Sequence, residues 1–180
     1  MNNNDKRIRL LRNVEANMVP SGDKVTLAKG NLVQITQSLG GNHTVIINGN
    51  KAQIGAEDAD ALGLKIEEKQ TYQPNSNFSE QLVWDQLKTC YDPEIPVNIV
   101  ELGLIYDLSI QDTKDKEKKV TIMMTLTAPG CGMGPVIADE VERKVGAINN
   151  VQSVKVELVW EPQWNQAMMS EAAQLELGMF

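Results

Sequence analysis

Val120-Thr121-Ile122-Met123-Met124-Thr125-Leu126-Thr127-Ala128-Pro129-Gly130-Cys131-Gly132-Met133-Gly134-Pro135 decides how this chain folds. Val120, Ile122, Met124 and Leu126 alternate with Thr121, Met123, Thr125 and Thr127, the two-residue period of a half-buried strand. Pro129 cannot donate to a sheet ladder and marks the end of that strand. Pro135 suits a first helical turn, and the glycine before it can serve as N-cap, so a helix is predicted over 136–147. Cys131 then lies between a strand and a helix N-terminus, where unpaired N–H groups and the helix dipole favour a thiolate. The competing reading is a small cysteine that fills a tight turn.

Working outward, Ile137, Val141, Val145 and Ile148 form one helical stripe, with Glu140 and Lys144 predicted as a surface pair. Asn149-Asn150 ends the helix, and Val154, Val156, Leu158 and Trp160 mark another strand. Upstream, Leu102, Leu104, Tyr106, Leu108 and Ile110 alternate as a strand, and the charged run 112–119 is a hairpin loop. Before them, Asn77 or Ser79 caps a helix carrying Val83, Leu87, Cys90 and Tyr91, which Pro93 stops. After Pro162, Trp164, Met168 and Leu175 predict a closing helix. Three strands with one apolar face need helices against it, so residues 79–180 read as a two-layer α/β sandwich with a three-stranded sheet and a C-terminal helix. The strand, helix, strand segment is a crossover expected to be right-handed, with Cys131 beyond the carboxyl end of a strand, where α/β sites lie.

Residues 1–66 carry a different punctuation. Ser21-Gly22-Asp23, Gly40-Gly41-Asn42 and Asn48-Gly49-Asn50 separate short β-forming runs, and a short helix over 56–62 is followed by Gly63 as a left-handed cap. This predicts a small β-barrel or meander, and the class of the whole chain is α+β. The polar segment 67–78 reads as a linker between the two domains.

Composition narrows the chemistry. A hydrophobic fraction of 42% in 180 residues supports folded cores, and a net charge of −7 argues against nucleic-acid binding. No run has membrane-spanning length and the N-terminus lacks a secretory signal pattern, so a cytoplasmic protein without membrane contact is expected. Two cysteines do not make a disulfide framework, and Cys90 is expected in the core of its helix stripe. His43 is the single histidine, expected exposed beside a turn, which disfavours both His-based zinc sites and a Cys–His nucleophile. No Gly-Lys-Ser/Thr follows the glycine loop, so it is not a nucleotide-phosphate loop. Asp92 and Glu94, in Asp92-Pro93-Glu94-Ile95-Pro96, either offer carboxylates to a metal or thiol or are ordinary turn residues.

Taken together, Asp92-Pro93-Glu94-Ile95-Pro96-Val97, Leu102-Gly103-Leu104-Ile105-Tyr106 and Thr125-Leu126-Thr127-Ala128-Pro129-Gly130-Cys131, with 151–160 closing, resemble the iron–sulfur cluster assembly domain. That domain is shared by eukaryotic cytosolic targeting factors of the MIP type and bacterial SufT proteins. The likeness covers about residues 79–164, and the β region in front with Trp160-Glu161-Pro162-Gln163-Trp164 behind is similar to the SufT branch. The resemblance implies an accessory, non-enzymatic role in maturing iron–sulfur proteins within a SUF-type system. It assigns Cys131 as the candidate cluster or metal ligand, supported by Asp92, Glu94, Thr127, Gly130 and Gly132. Many members follow the cysteine with proline, whereas Gly132-Met133-Gly134 intervene here.

A 2Fe–2S or 4Fe–4S cluster takes four thiolates, and this chain has two cysteines, so by that rule one chain alone holds neither. The expectation is a transient cluster or iron shared between Cys131 and a second protomer of a homodimer, a small thiol or a client apoprotein. The alternative is an adaptor that docks clients onto the assembly proteins, with Cys131 structural. An enzymatic or redox thiol is a third reading.

Overall fold

The structure, a computed structural model, describes residues 7–66 and 77–179, so most of the predicted linker lies outside the described residues. Contacts divide the chain into two units. The first comprises Met1–Lys69 with Pro93–Pro96 and Cys131–Val136; the second comprises Gln70–Asp92, Val97–Gly130 and Ile137–Phe180.

In the first unit, β1 (Arg7–Arg9), β2 (Val14–Val19), β3 (Lys24–Leu27), β4 (Leu32–Leu39), β5 (Asn42–Ile47) and β6 (Asn50–Ile54) form one sheet. Its order is β1-β4-β5-β6-β2-β3, every neighbour antiparallel. The barrel half of the sequence expectation is corrected: β1 and β3 are the two edges and the sheet does not close. The meander half holds for β4-β5-β6, because both turns have the glycines that two-residue hairpins need. Asn48 and Gly49 both have positive φ, as do Gly40 and Gly41, the backbone that matches strand twist. Strands β1 and β2 were not predicted. Val14-Glu15-Ala16-Asn17-Met18 alternates apolar and polar as a half-buried strand does, with Val14, Ala16 and Val19 buried, so the signal for β2 is present in the sequence.

Leu10, Val14, Val33, Val45, Ala52 and Ile54 form the centre of this core. Burying each larger side chain contributes about 1.5–3 kcal/mol. A 3₁₀ helix, Ala56–Leu62, follows as predicted, and Gly63 caps it at φ 71°. Arg12 donates to both Asp58 and Asp60 on this helix, at 2.7 and 2.8 Å. His43 departs from its expected exposure: it is buried on β5, with Nδ1 2.8 Å from the Ser38 hydroxyl across the β4–β5 pair.

The second unit contains α1 (Glu80–Leu87), β7 (Ile105–Asp112), β8 (Lys118–Met124), most of α2 (Gly134–Gly146), β9 (Val151–Leu158) and α3 (Glu171–Glu176). Ser79 caps α1 by accepting from Leu82 N. The helix ends at Leu87, one turn earlier than predicted, with Cys90 and Tyr91 in the descending turn and Tyr91 bridged to Asn98. The sheet order is β7-β8-β9, the first pair antiparallel and the second parallel. Val120, Ile122 and Met124 are buried on one face of β8, as are Ile137, Val141, Val145 and Ile148 on α2. The β8 face and the α2 stripe follow the predicted periodicity, whereas Leu102, Leu104, Leu126 and Trp160, also assigned to strands, lie beyond the strand ends.

Two expectations in this unit are corrected. The Glu140–Lys144 pair is not on the surface: its side chains are 5% and 14% exposed, the Nζ to carboxylate distance is 2.7 Å, and Lys144 also donates to the Thr89 carbonyl at 2.7 Å. The i,i+4 spacing set the pairing, but the helix face it occupies looks toward the end of α1 rather than water. The closing helix is likewise two short pieces, a 3₁₀ turn at Gln166–Met168 and α3, because Met169 is extended and Ser170 starts a new helix by capping Ala173 N. Met169 and Ala173 are buried there, while Leu175 is 69% exposed.

This tail is fastened to the Leu102–Tyr106 motif. Trp164 Nε1 donates to Leu102 O at 2.8 Å, Tyr106 Oη donates to Pro162 O at 2.7 Å, and Ser170 N donates to Glu101 O at 2.9 Å. Gly103, at φ 73°, faces the Met168 carbonyl so closely that a Cβ would overlap it. Gly103→Ala should therefore lower stability by about 2 kcal/mol or more, combining positive-φ strain with backbone overlap. A urea unfolding curve that leaves the midpoint unchanged would show that the tail is not held by this contact.

Candidate functional site

Cys131 lies where the sequence places it, in the connection from β8 to α2, three residues before the helix begins. The helix starts at Gly134, so Pro135 occupies its second position instead of its first, a shift of one residue that a tightened turn produces. That turn is closed by Gly134 N donating to Cys131 O at 3.2 Å. Met133 is buried and anchors the loop, while Cys131 is half-buried.

The residues 131–136 make their closest contacts within the first unit. Cys131 Sγ is 4.0 Å from Pro20 O, a carbonyl positioned to accept from a thiol S–H. Gly132 faces Ser21: a Cβ there would overlap the Ser21 carbonyl, and reciprocally a Cβ on Gly22 would overlap the Gly132 carbonyl. Proline, the residue that the resemblance sets after the cysteine, also carries a Cβ and would meet the same obstruction.

The acidic turn has a comparable attachment. Thr44, buried on β5, donates through its hydroxyl to Pro93 O at 3.0 Å, and Lys51 on β6 pairs with Glu94 at 2.9 Å. Glu94 is exposed, and the ion pair joins two partly solvated side chains, so its energetic weight is small. Of the predicted site residues, Glu94, Cys131 and Gly132 fall in the first unit, and Asp92, Thr127 and Gly130 in the second. Asp92 is buried, Thr127 is partly buried, and Gly130 has φ 74° with open space around it. Among the described residues no group of three or more His, Cys, Asp or Glu side chains is arranged to hold a metal ion. Thr44, Lys51 and the Pro20-Ser21-Gly22 turn were not singled out as site residues. Ser21-Gly22-Asp23 announces a turn in the sequence, but nothing in it states what the turn touches.

The other cysteine has the opposite character. Cys90 is fully buried, its thiol donating to Gln86 O at 3.7 Å. Burial pushes its pKa up to about 12, with the Glu140 carboxylate adding to the rise. It is a core residue, as expected, although it lies past the end of α1 and not on its stripe. Among the described residues no helix is long and apolar enough to cross a membrane.

Known proteins resemble this chain over its later part. A family described as iron-sulfur cluster assembly protein matches residues 80–158, leaving β1 to β6 outside the match. A Fe-S protein maturation auxiliary factor of Porphyromonas gingivalis is 46% identical over 106 residues, which span 58% of this chain and 97% of that protein. The Fe-S protein maturation auxiliary factor SufT of Staphylococcus aureus is 42% identical over 88 residues, 49% of this chain and 96% of that protein. A solved domain of unknown function from Bacillus anthracis is 35% identical, covering 56% of this chain and 92% of that one at a TM-score of 0.47.

The buried thiol gives a pH signature. Its folded pKa lies above that of the unfolded chain, so its contribution is intact below the ordinary thiol value and is lost as pH rises toward 12. Across that window wild-type stability should fall faster than that of Cys90→Ala, by up to about 1.4 kcal/mol per pH unit. Parallel stability profiles of the two proteins between pH 8 and pH 11 (about the ordinary thiol range and above) would contradict the assignment.

Proposed function

This chain belongs to the SufT-type family of iron–sulfur cluster assembly proteins, and from that premise we propose that it is an accessory factor which helps deliver clusters to client apoproteins. The relatives carrying the name of maturation auxiliary factor support a helper role over an enzymatic one. In this reading Cys131 is the working thiol, bound transiently to the iron of a cluster that is cargo, with the remaining ligands supplied from outside the chain.

The difference in burial between the two cysteines carries the proposal. Cys90 is fully buried with its pKa pushed up to about 12, whereas Cys131 is half-buried in the loop that the family match includes. Metal binding requires thiolate, and a fully buried thiol that resists ionisation is poorly suited to exchange a ligand with another protein. One half-buried thiol falls short of the four ligands of an ordinary cluster. A shared cluster, completed by a client, a second protomer or a small thiol, reconciles one thiol with that requirement. Asp92 and Glu94 are proposed as supports of the acidic turn, and Thr127, Gly130 and Gly132 as residues that shape the cysteine loop.

Delivery can be measured by activation of an apo-enzyme with iron and sulfide supplied anaerobically. Cys131→Ala should slow delivery by about tenfold or more, the effect of removing a metal-exchange ligand, while Cys90→Ala should retain it at temperatures where it stays folded. Equal delivery by wild type and Cys131→Ala, with all partners retained in a pull-down, would replace the carrier reading with that of an adaptor.

A further inference from the structure

The contact between the Pro20-Ser21-Gly22 turn and the Cys131-Gly132 loop has a specific consequence for the thiol. Both segments belong to the first unit. The turn is held in shape independently of the loop: β2 and β3 pair from Val14↔Leu27 to Asn17↔Lys24, Met18 N donates to Asp23 O at 2.8 Å, and Gly22 N donates to Met18 O at 2.7 Å. Asp23 N is satisfied in addition by the Ser21 hydroxyl at 3.3 Å. It is therefore a preformed edge set against the loop, and the fit leaves no room for a side chain on either glycine.

We propose that the β2–β3 turn is an intramolecular cover on the Cys131 thiol, and that local separation of Pro20-Ser21-Gly22 from Cys131-Gly132 sets when the thiol is available. Three observations converge on it. Sγ lies 4.0 Å from the Pro20 carbonyl of the turn. Backbone meets backbone at Ser21 and Gly132, directly beside Cys131, with no space for a Cβ on Gly22 or Gly132. The covering turn also lies outside the residues 80–158 that match the assembly family, so the cover is an addition to the matched domain. Turn and loop contacts outside regular sheet pairing open at lower free energy than a sheet core. The cover rests on geometry alone; its meaning as control of cluster delivery rests on the role proposed for Cys131.

Gly22→Ala places a methyl where the Gly132 carbonyl stands and should push the loop away. Gly30→Ala is the matched control, because Gly30 has φ 84° against 76° for Gly22 but has open space around it. The full-length protein is alkylated with iodoacetamide, each cysteine followed by mass spectrometry, and buried Cys90 serves as internal standard. Rates taken across pH separate ionisation, which moves the midpoint, from access, which moves the plateau.

The expected result is a plateau for Cys131 raised by about threefold or more in Gly22→Ala and unchanged in Gly30→Ala, as a shifted local opening equilibrium requires. An unchanged plateau in Gly22→Ala, or an equal rise in both variants, would overturn the cover. Should Gly22→Ala fail to fold, the wild type decides. Cys131 in the native protein must react more slowly than in the urea-unfolded chain and must accelerate below the unfolding midpoint. Native reactivity equal to that of the unfolded chain would overturn the proposal. Failure of Cys131→Ala to impair delivery would remove the carrier role and leave the alkylation result standing.

Discussion

Parallel pairing of β8 with β9 is the constraint from which the second unit follows. Antiparallel neighbours can be joined by a tight turn, but a chain leaving β8 at Met124 must travel back before it can run alongside itself as β9. The return is α2, whose buried residues Ile137, Val141, Val145 and Ile148 recur at helical spacing. The connection from strand to helix has to turn sharply at the strand's carboxyl end, and that turn is the Cys131 loop. The position of the thiol is thus a product of sheet topology, and its proline and glycine neighbours are the residues that such a turn requires.

Around Cys90 the same helix does a different task. Glu140 and Lys144 are buried as an ion pair, and Lys144 reaches the Thr89 carbonyl beside the cysteine. Desolvating two charges is costly, and the pair offsets that cost only because each charge meets a partner; removing one would leave the other buried alone. Burial does most to oppose ionisation of Cys90, with the Glu140 carboxylate adding to it and Lys144 acting against it, while the ion pair itself fastens α2 to the end of α1. The two cysteines differ in burial, Cys90 lying in the core and Cys131 half-buried in its loop.

Among the described residues glycine governs two close backbone contacts, each within one unit. At Gly103 the tail carbonyl of Met168 comes too near for any Cβ, and at Gly22 and Gly132 two turns touch through their main chains. The Gly132-Met133-Gly134 insertion, which departs from the proline expected after the cysteine, acquires a physical reason from the second contact. A residue with a side chain after Cys131 would hold the Ser21 turn away.

Much of the fold was legible from local rules, since periodicity, caps and turns are properties of neighbouring residues. Two-residue alternation marked β8, the 3.6-residue stripe marked α2, Ser79 marked the start of α1, and Asn48-Gly49 and Gly40-Gly41 marked hairpins. Three family motifs in order also carried the assembly family itself. Contacts between distant residues were not legible. Whether the N-terminal strands close depends on which strands become edges, and β2 finds β6 with β3, β4 and β5 between them in sequence. The Glu140–Lys144 spacing predicts a pair but not which way its helix face looks, and His43 beside a turn gives no sign of its burial. The sequence by itself determined that a cysteine stands between a strand and a helix. Only the tertiary structure decided that a hairpin turn more than a hundred residues earlier, Cys131 and Pro20 being 111 apart, lies against it, because backbone-to-backbone contact leaves no mark in sequence beyond the glycines that permit it.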